Sequence, residues 1–328
     1  MPARDSGAKV RALRFRETGI VVVLVVMGAV LWAVAPRTAA GESTFLNREN
    51  LMQVARAFSF IGIASVGATL VIVSGGIDLS VGSVLGLTVV TTAMALSAGW
   101  GIVAASTAGL IVSGACGLVS GALVAWGRLP PFIVTLGMLS IARGAGYWLS
   151  GGRMVSGLPD SFVAFGQGFL ASVVPLPVVV MLLAMLAGAV ALRRTVFGRA
   201  VHALGGNEAA AVLSGLPVAR LKLAVYGLGG LFSGLAGLIY VARFGYGSST
   251  AGVGWELQVI SAVVIGGTSL AGGDGTVVGS VLGAAVIGVL TNGLTLLSVP
   301  EEYNQLVVGC VIVMAVLGDR LRMPRSLA

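Results

Sequence analysis

The sequence predicts an all-α, polytopic membrane protein of about ten transmembrane helices with an internal parallel repeat. Its 328 residues are 57% hydrophobic and only 10% charged, whereas a water-soluble domain carries about 25% charged residues. The chain also contains 50 glycines, and small residues let transmembrane helices approach each other closely. Most of its surface is therefore expected to face lipid.

Apolar stretches long enough to cross a bilayer place the helices along the chain. The ten predicted spans are 18–35, 51–73, 81–98, 101–126, 131–150, 173–192, 220–242, 256–271, 276–297 and 304–318. The first could instead be a signal peptide cleaved after "AVA", 33–35, but its length and the following Pro36 favour a retained anchor. A polar, Gly-rich stretch, 151–168, is expected to form an external loop.

Lysine and arginine predict the orientation, because cytoplasmic loops are enriched in them. With the N-terminus inside, six of the 20 basic residues lie outside and the other 14 lie in the cytoplasm. The predicted organisation is a cytoplasmic segment 1–17, a transmembrane domain 18–318 with a cytoplasmic loop at 193–219, and a cytoplasmic tail 319–328. The net charge of +8 comes from basic residues beside the spans, which indicates membrane topology rather than nucleic-acid binding.

Two glycine-rich stretches predict the repeat. Residues 75–86, "GGIDLSVGSVLG", and 272–283, "GGDGTVVGSVLG", share eight of twelve positions without a gap. They are six predicted spans apart, so both face the same side of the membrane, as in transporters built from parallel repeats. Convergent Gly-rich packing is the alternative. Each copy holds one carboxylate, Asp78 or Asp274, which either caps the following helix or lines a path through the membrane.

The residues that catalysis needs are largely missing. Only two lysines occur, Lys9 and Lys222, no G-x-x-x-x-G-K-[ST] motif is present, and His202 is the single histidine. Cys116 and Cys310 lie in apolar runs and are expected to be unpaired, buried side chains. We therefore expect that the chain is not an enzyme and that it binds neither a metal ion nor a cofactor.

The sequence of the cytoplasmic loop predicts two short helices held at the membrane surface. The first is expected over 198–204 and breaks at Gly205-Gly206. The second begins at Asn207 as N-cap, has Glu208 in its first turn, and stops at Gly215 and Pro217. A rigid helical knob of this kind suits docking to a soluble partner, and a solvated connector is the alternative.

Four long segments, 74–87, 129–144, 197–216 and 264–294, carry a resemblance to a known family. Through them the chain resembles the permease subunits of bacterial ABC importers for monosaccharides, in the ribose-type branch, over nearly all of its length after about residue 45. The resemblance implies a multi-pass protein of the inner membrane with cytoplasmic termini. It also implies three partners: ABC ATPase subunits that hydrolyse ATP, a periplasmic or extracellular sugar-binding protein, and a second permease copy in a homodimer or heterodimer.

By position, the resemblance assigns coupling to the ATPase to nine loop residues. They are Gly198, Arg199, Gly205, Gly206, Asn207, Glu208, Ala209, Ala210 and Gly215. In the general importer pattern a glycine follows the glutamate by six residues. Here Ser214 stands at that position and Gly215 comes one later, so the docking geometry is expected to differ in detail.

A sugar path should be lined by hydroxyls, amides and small residues rather than by fixed charges. The candidates are Ser65, Thr69, Ser74, Asp78, Thr135, Ser261, Thr268, Ser269, Asp274 and Asn292, although a hydroxyl can equally bond back to its own helix. A nucleoside or a furanosyl signalling molecule is an alternative cargo for the same architecture. A secondary carrier that works without an ATPase is a further alternative.

Overall fold

The structure is a computed structural model that describes residues 6–37, 41–300 and scattered residues between 303 and 317, with side chains from residue 17 onwards. Within these residues it is an all-α protein with one small hairpin. The helices are α1 Ser6–Val34, α2 Arg48–Val73, α3 Val81–Ser97, α4 Ile102–Ala125, α5 Pro131–Ser150, α6 Asp160–Gln167, α7 Leu176–Arg194, α8 Val196–Gly206, α9 Glu208–Leu213, α10 Val218–Phe244, α11 Trp255–Ile265 and α12 Val277–Leu296. Strands β1, Phe169–Leu170, and β2, Val174–Pro175, pair antiparallel.

Nine of the ten predicted spans coincide with helices of the described part. Seven of these helices are long and apolar enough to cross a membrane. The third and eighth spans correspond to the shorter apolar helices α3 and α11. The tenth span, 304–318, and the tail, 319–328, lie largely or wholly outside the described residues.

The structure corrects two predicted boundaries. The eighth span was expected over 256–271, but α11 ends at Ile265. Two consecutive glycines follow, and the second, Gly267, has a φ of +82°, which ends the helix. The expected external loop, 151–168, is not all loop. It contains α6, whose Gly166 lies so close to Ala242 of α10 that no Cβ would fit between them.

Helix α2 forms the centre of the bundle, with 83% of its most apolar window buried. It packs against α7, α10, α11 and α12. At the α2–α10 crossing, a Cβ on Gly67 would lie 3.0 Å from the Cα of Gly229, so the two backbones touch as small residues allow. By contrast, only 11% of the apolar window of α1 is buried, and this helix packs on the outside against α12.

The contacts define two ends of the bundle. At one end, called the loop end, α8 and α9 lie beside the end of α2 and the loop that precedes α12. At the same end, Arg193 of α7 pairs with Glu17 of α1 at 2.8 Å. The opposite end carries the β-hairpin, where Arg48 at the start of α2 donates to the carbonyl oxygen of Ser172.

Candidate functional site

The loop between α7 and α10 folds as two short capped helices. Thr195 caps α8, since its hydroxyl accepts a hydrogen bond from the amide of Gly198 at 3.1 Å. Asn207 caps α9, as predicted, with its side-chain oxygen 2.9 Å from the amide of Ala210. Gly215 has a φ of +76° after the end of α9. Helix α8 is longer than expected, from Val196 to Gly206, and the break falls at Asn207.

Helix α8 ends directly on the backbones of both repeat copies. A Cβ on Gly205 would collide with the carbonyl oxygen of Val73 and lie 2.6 Å from the amide nitrogen of Gly273. The amide of Gly273 donates to the same carbonyl of Val73 at 2.9 Å, and a Cβ on Gly272 would lie 2.8 Å from the Cα of Gly75. We call this contact of Val73, Gly75, Gly205, Gly272 and Gly273 the glycine junction.

One side chain of α8 reinforces the glycine junction. The Nδ1 atom of His202 lies 3.1 Å from the carbonyl oxygen of Gly273. The single histidine is thus a structural contact between α8 and the loop before α12. Sequence reasoning did not assign this role, because nothing local in the sequence indicates which carbonyl the imidazole meets.

The two repeat copies share the backbone conformation of their first glycine, although Gly273 has a φ of +74° and its aligned partner Gly76 does not have a positive φ. The aligned residues Gly75 and Gly272 have φ values of +85° and +84°. In each copy the chain then enters a helix, α3 or α12, at aligned positions that differ by one residue. A shared structural role for the two stretches is therefore observed, and a common evolutionary origin stays a prediction.

The two repeat carboxylates do not cap these helices. Ser80 and Thr276 are the N-cap residues, and the hydroxyl of Thr276 accepts from the amide of Gly279 at 3.0 Å. Asp78 is 5% exposed and accepts hydrogen bonds from the amide and the hydroxyl of Ser80. Asp274 is exposed at the loop end.

Helix α9 projects from the bundle with little cover. Val212 is 56% exposed and Leu213 is 88% exposed, while Ala209 and Ala210 are also exposed. Glu208 pairs with Lys222 of α10 at 2.6 Å, so it braces α9 against the start of that helix. The two large apolar side chains were not among the predicted site residues, although they follow the predicted alanine run directly.

Most predicted path residues are buried inside the chain. Several hydroxyls bond to backbone carbonyls one turn earlier in their own helices, as Ser65 does to Ile61 and Ser261 to Leu257. The residues at 8% exposure or less are Ser65, Thr69, Ser74, Asp78, Thr135, Ser261 and Thr268. Ser269 and Asn292 are half-buried, and the amides of Asn292 and Asn50 pair through two hydrogen bonds.

A non-helical segment, 245–254, lies within the bundle beside α3. A Cβ on Gly247 would meet Ala93 near the end of α3, and one on Gly82 near its start would collide with the carbonyl oxygen of Gly252. The segment leads into α11, whose first residue, Trp255, stacks on Phe60 with ring centroids 6.1 Å apart. Phe60 is the thirteenth of the 26 residues of α2, so α11 begins level with the middle of that helix.

Polar side chains hold this re-entrant segment. The Nη1 atom of Arg143 in α5 donates to the carbonyl oxygens of Ser249 and Ala251 at 2.6 and 2.7 Å. The Oε2 atom of Glu256 is buried and has no hydrogen-bond partner in the described part of the chain. Val253 at the tip is 62% exposed.

No group of three or more His, Cys, Asp and Glu side chains lies together in the described residues. Cys116 and Cys310 are unpaired, and Cys310 is exposed rather than buried as expected.

The comparisons with known proteins place the chain in a transport family. A family profile described as a branched-chain amino acid transport system permease component matches residues 50–316. The ribose import permease protein of Escherichia coli strain K12 is 42% identical, over 92% of this chain and 93% of its own length. The L-arabinose ABC transporter permease protein of Azospirillum brasilense is 35% identical, over 98% and 92%. An autoinducer 2 import system permease protein of Yersinia enterocolitica is 33% identical, over 86% and 78%.

A solved structure supports the fold. A metal-chelate-type ABC transporter in an inward-facing conformation aligns with a TM-score of 0.54 at 15% identity, over 92% of this chain and 98% of that one. The matched profile and relatives cover almost the entire chain and are transport components rather than enzymes. The chain therefore belongs to this family of multi-pass membrane permease components.

Proposed function

We propose that this chain is the permease subunit of an ATP-driven importer that moves a neutral monosaccharide across the bacterial inner membrane by alternating access. Its N- and C-termini then lie in the cytoplasm, on the side of α8 and α9. The observation that carries the proposal is the glycine junction, where one short surface helix contacts both repeat loops through backbone atoms. The ribose and arabinose permeases among the relatives support a monosaccharide as cargo.

The knob formed by α8 and α9 is proposed as the docking element for an ABC ATPase. Val212 and Leu213 expose apolar surface at the loop end, and exposed apolar patches mark sites of protein–protein contact. The nine residues assigned by resemblance, from Gly198 to Gly215, belong to this knob. Its caps and the Glu208–Lys222 pair keep it rigid, so a displacement of α9 is passed to α8.

The junction then transmits that displacement to both halves of the chain. Backbone atoms in direct contact cannot slide past each other without opening a gap, since protein interiors are close-packed. Movement of α8 therefore shifts the loop after α2 and the loop before α12 together. The positive φ angles at Gly75 and Gly272 let each loop bend with little steric cost.

The path is proposed on the face that carries the re-entrant segment and the exposed side of α5. Irregular backbone at membrane depth is tolerated only where it is buried in protein or faces water, and the tip at Val253 is exposed in the single chain. On α5, Gly137, Ser140 and Gly144 are exposed on this side. A second permease copy facing this surface would enclose a central path, to which a binding protein delivers sugar at the opposite end. The path residues predicted from the sequence stay predictions.

An uptake measurement tests the importer against a carrier. The chain is reconstituted in proteoliposomes with and without the ATPase and the binding protein encoded beside its gene, and the entry of radiolabelled D-ribose, L-arabinose and a nucleoside is followed. We expect uptake of a monosaccharide that requires ATP hydrolysis and both partners. Uptake by the chain without its partners would contradict the proposal. Uptake of the nucleoside but of neither sugar would show that the cargo is a nucleoside, and the importer mechanism would still hold. The autoinducer 2 relative makes a furanosyl signalling molecule the second cargo to include.

A further inference from the structure

Cavities in the described part of the chain differ in their chemistry. One, of about 720 Å³, lies between α4 and α10 and is lined almost wholly by apolar side chains such as Leu110, Ile111 and Leu231. A second, about 410 Å³, is also mainly apolar. The third, about 330 Å³, lies between α2, α11 and α12, and its walls include three side-chain amides and two threonine hydroxyls. We call it the amide cavity.

The amide cavity lies between mid-membrane and the opposite end. Its floor is Trp255, which stacks on Phe60 at the middle of α2. Asn292 belongs to its wall, and the Asn50–Asn292 pair holds α2 and α12 together there. Polar side chains at membrane depth are costly and therefore usually serve function.

Two of the amides have unused hydrogen-bonding capacity. Gln53 of α2 and Gln258 of α11 line the cavity, and the structure assigns their side chains no hydrogen bond to any described residue. Each amide has two donor hydrogens and an acceptor oxygen. Gln53 is exposed and Gln258 is half-buried in the single chain, so both side chains are accessible to a ligand that brings its own donors and acceptors.

The lining also excludes classes of ligand. None of the thirteen residues around the amide cavity is charged. A phosphorylated sugar or a zwitterionic amino acid would bury a charge without a counter-ion there. A neutral polyol meets the amides and hydroxyls without that cost, and the indole of Trp255 offers an apolar surface to its C–H groups. The volume is at the lower end of the range of about 300–1,000 Å³ for small-molecule pockets.

We propose that the amide cavity is a sugar subsite within the permease itself, in which Gln53 and Gln258 bind the hydroxyls of a neutral monosaccharide against Trp255. The subsite rests on the proposed function for its substrate class. It gives the permease a selectivity of its own, for uncharged sugars over phosphorylated sugars and amino acids. Binding is weak, because the sugar must leave again during each cycle.

The test is saturation-transfer NMR on the purified full-length chain in lipid nanodiscs, which detects weak ligands without any partner protein. The probes are D-ribose, L-arabinose, D-glucose, D-ribose 5-phosphate and L-leucine. We expect a saturable signal from at least one neutral sugar and none from the phosphate or the amino acid. We also expect the sugar affinity to fall at least tenfold in Gln258→Leu and in Gln53→Leu.

The matched control is Gln167→Leu, the same change in the exposed helix α6, which should keep the affinity of the unmodified protein. Thermal unfolding of each variant identifies one that fails to fold, in which case the other glutamine decides. The subsite would be overturned if no neutral sugar gave a signal, if both cavity variants kept the sugar affinity of the unmodified protein, or if D-ribose 5-phosphate bound as well as the neutral sugar. ATP-dependent uptake without such binding would refute the subsite proposal but not the importer proposal. ATP-independent uptake with such binding would refute the importer proposal but not the subsite proposal.

Discussion

Gly205 lies where a Cβ atom would collide with the carbonyl oxygen of Val73 and come within 2.6 Å of the amide of Gly273. Its neighbour Gly206 has no atom within 4 Å of the position that a Cβ would take. Two adjacent glycines of one motif therefore have different roles. Gly205 permits a backbone contact that a Cβ would block, whereas a Cβ on Gly206 would enter open space even though the backbone of Gly206 also packs near Gly273.

This difference predicts opposite outcomes for two alanine substitutions. Gly205→Ala should separate α8 from both repeat loops at a cost of about 1–3 kcal/mol for overpacking, and should lower the number of sugars imported per ATP at least fivefold. Gly206→Ala is the matched control and should leave that ratio within twofold of the unmodified protein. Both variants are compared in proteoliposomes by parallel uptake and phosphate-release assays. Equal ratios in the two variants would mean that the glycine junction does not transmit the movement.

Glu208 and Lys222 form a pair whose side chains are 54% and 18% exposed, respectively. Such a pair contributes little to stability, about 0–1 kcal/mol, so its expected role is to orient α9. Glu208→Lys should reduce transport-dependent ATP hydrolysis severalfold without changing membrane insertion. The double variant Glu208→Lys with Lys222→Glu restores opposite charges and should recover most of the activity. Unchanged transport in the single variant would remove Glu208 from the coupling site.

At the scale of elements, α11 is a helix that starts within the membrane rather than at its surface. The preceding segment makes turn hydrogen bonds, such as those from the amide of Ala251 to Ser248 and from that of Val253 to Thr250, in place of α-helical ones, and Arg143 donates to the carbonyl oxygens of Ser249 and Ala251. The nearby carboxylate of Glu256 has a buried oxygen without a described partner. The arginine in α5 is therefore a structural support for the re-entrant segment.

Removing that support has a measurable consequence. Arg143→Gln should leave at least one of the two carbonyl oxygens unpaired at membrane depth, at a cost of about 1–3 kcal/mol, and lower the midpoint of thermal unfolding by several degrees. Hydrogen exchange at residues 249–254 should rise in the same variant. Arg153→Gln in the exposed external loop makes the same change and should alter neither quantity. An unchanged midpoint and unchanged exchange for Arg143→Gln would show that the segment is held in another way.

The sequence largely predicted which helices exist, but it did not predict how deep in the bundle each segment lies. Long, predominantly apolar runs such as 131–150 indicated the helix bounds, because a transmembrane helix satisfies its own backbone polar groups. Helix α11 was expected to extend to residue 271, since Leu270 and Ala271 continue the apolar composition beyond the glycines that end it. The descent of residues 245–254 beside α3 depends on tertiary contacts with Gly82 and Arg143, which no local pattern reveals.

The site was predictable to a different degree. Cap chemistry indicated Asn207 as the start of a helix, and the structure confirms it. Of the two roles left open for Asp78 and Asp274, capping is not observed, because Ser80 and Thr276 occupy the N-cap positions, and lining of a path stays a prediction. The glycine junction joins residues about 70 to 200 positions apart, so the sequence could show that its glycines match in two copies but not that they touch.

At the scale of the whole molecule, the described part of the chain is a helical bundle with a two-helix knob, which exposes Val212 and Leu213, at one end and a small hairpin at the other. The loop end gathers α8, α9 and both repeat loops, while the opposite end holds α6 and β1–β2. This asymmetry fits an importer that receives force at one face and substrate at the other. The central claim is that α9 is the surface on which the ATPase acts.

Site-specific photo-crosslinking tests this claim most directly. A photoreactive amino acid is placed at Leu213 in α9, which is 88% exposed, or at Leu170 in β1, which is 54% exposed at the opposite end. The importer is assembled with its ATPase, irradiated and analysed for covalent adducts. The account predicts an ATPase adduct from position 213 that changes in yield with ATP, and none from position 170. An active importer that forms no adduct at position 213, or forms one at position 170 instead, would contradict it.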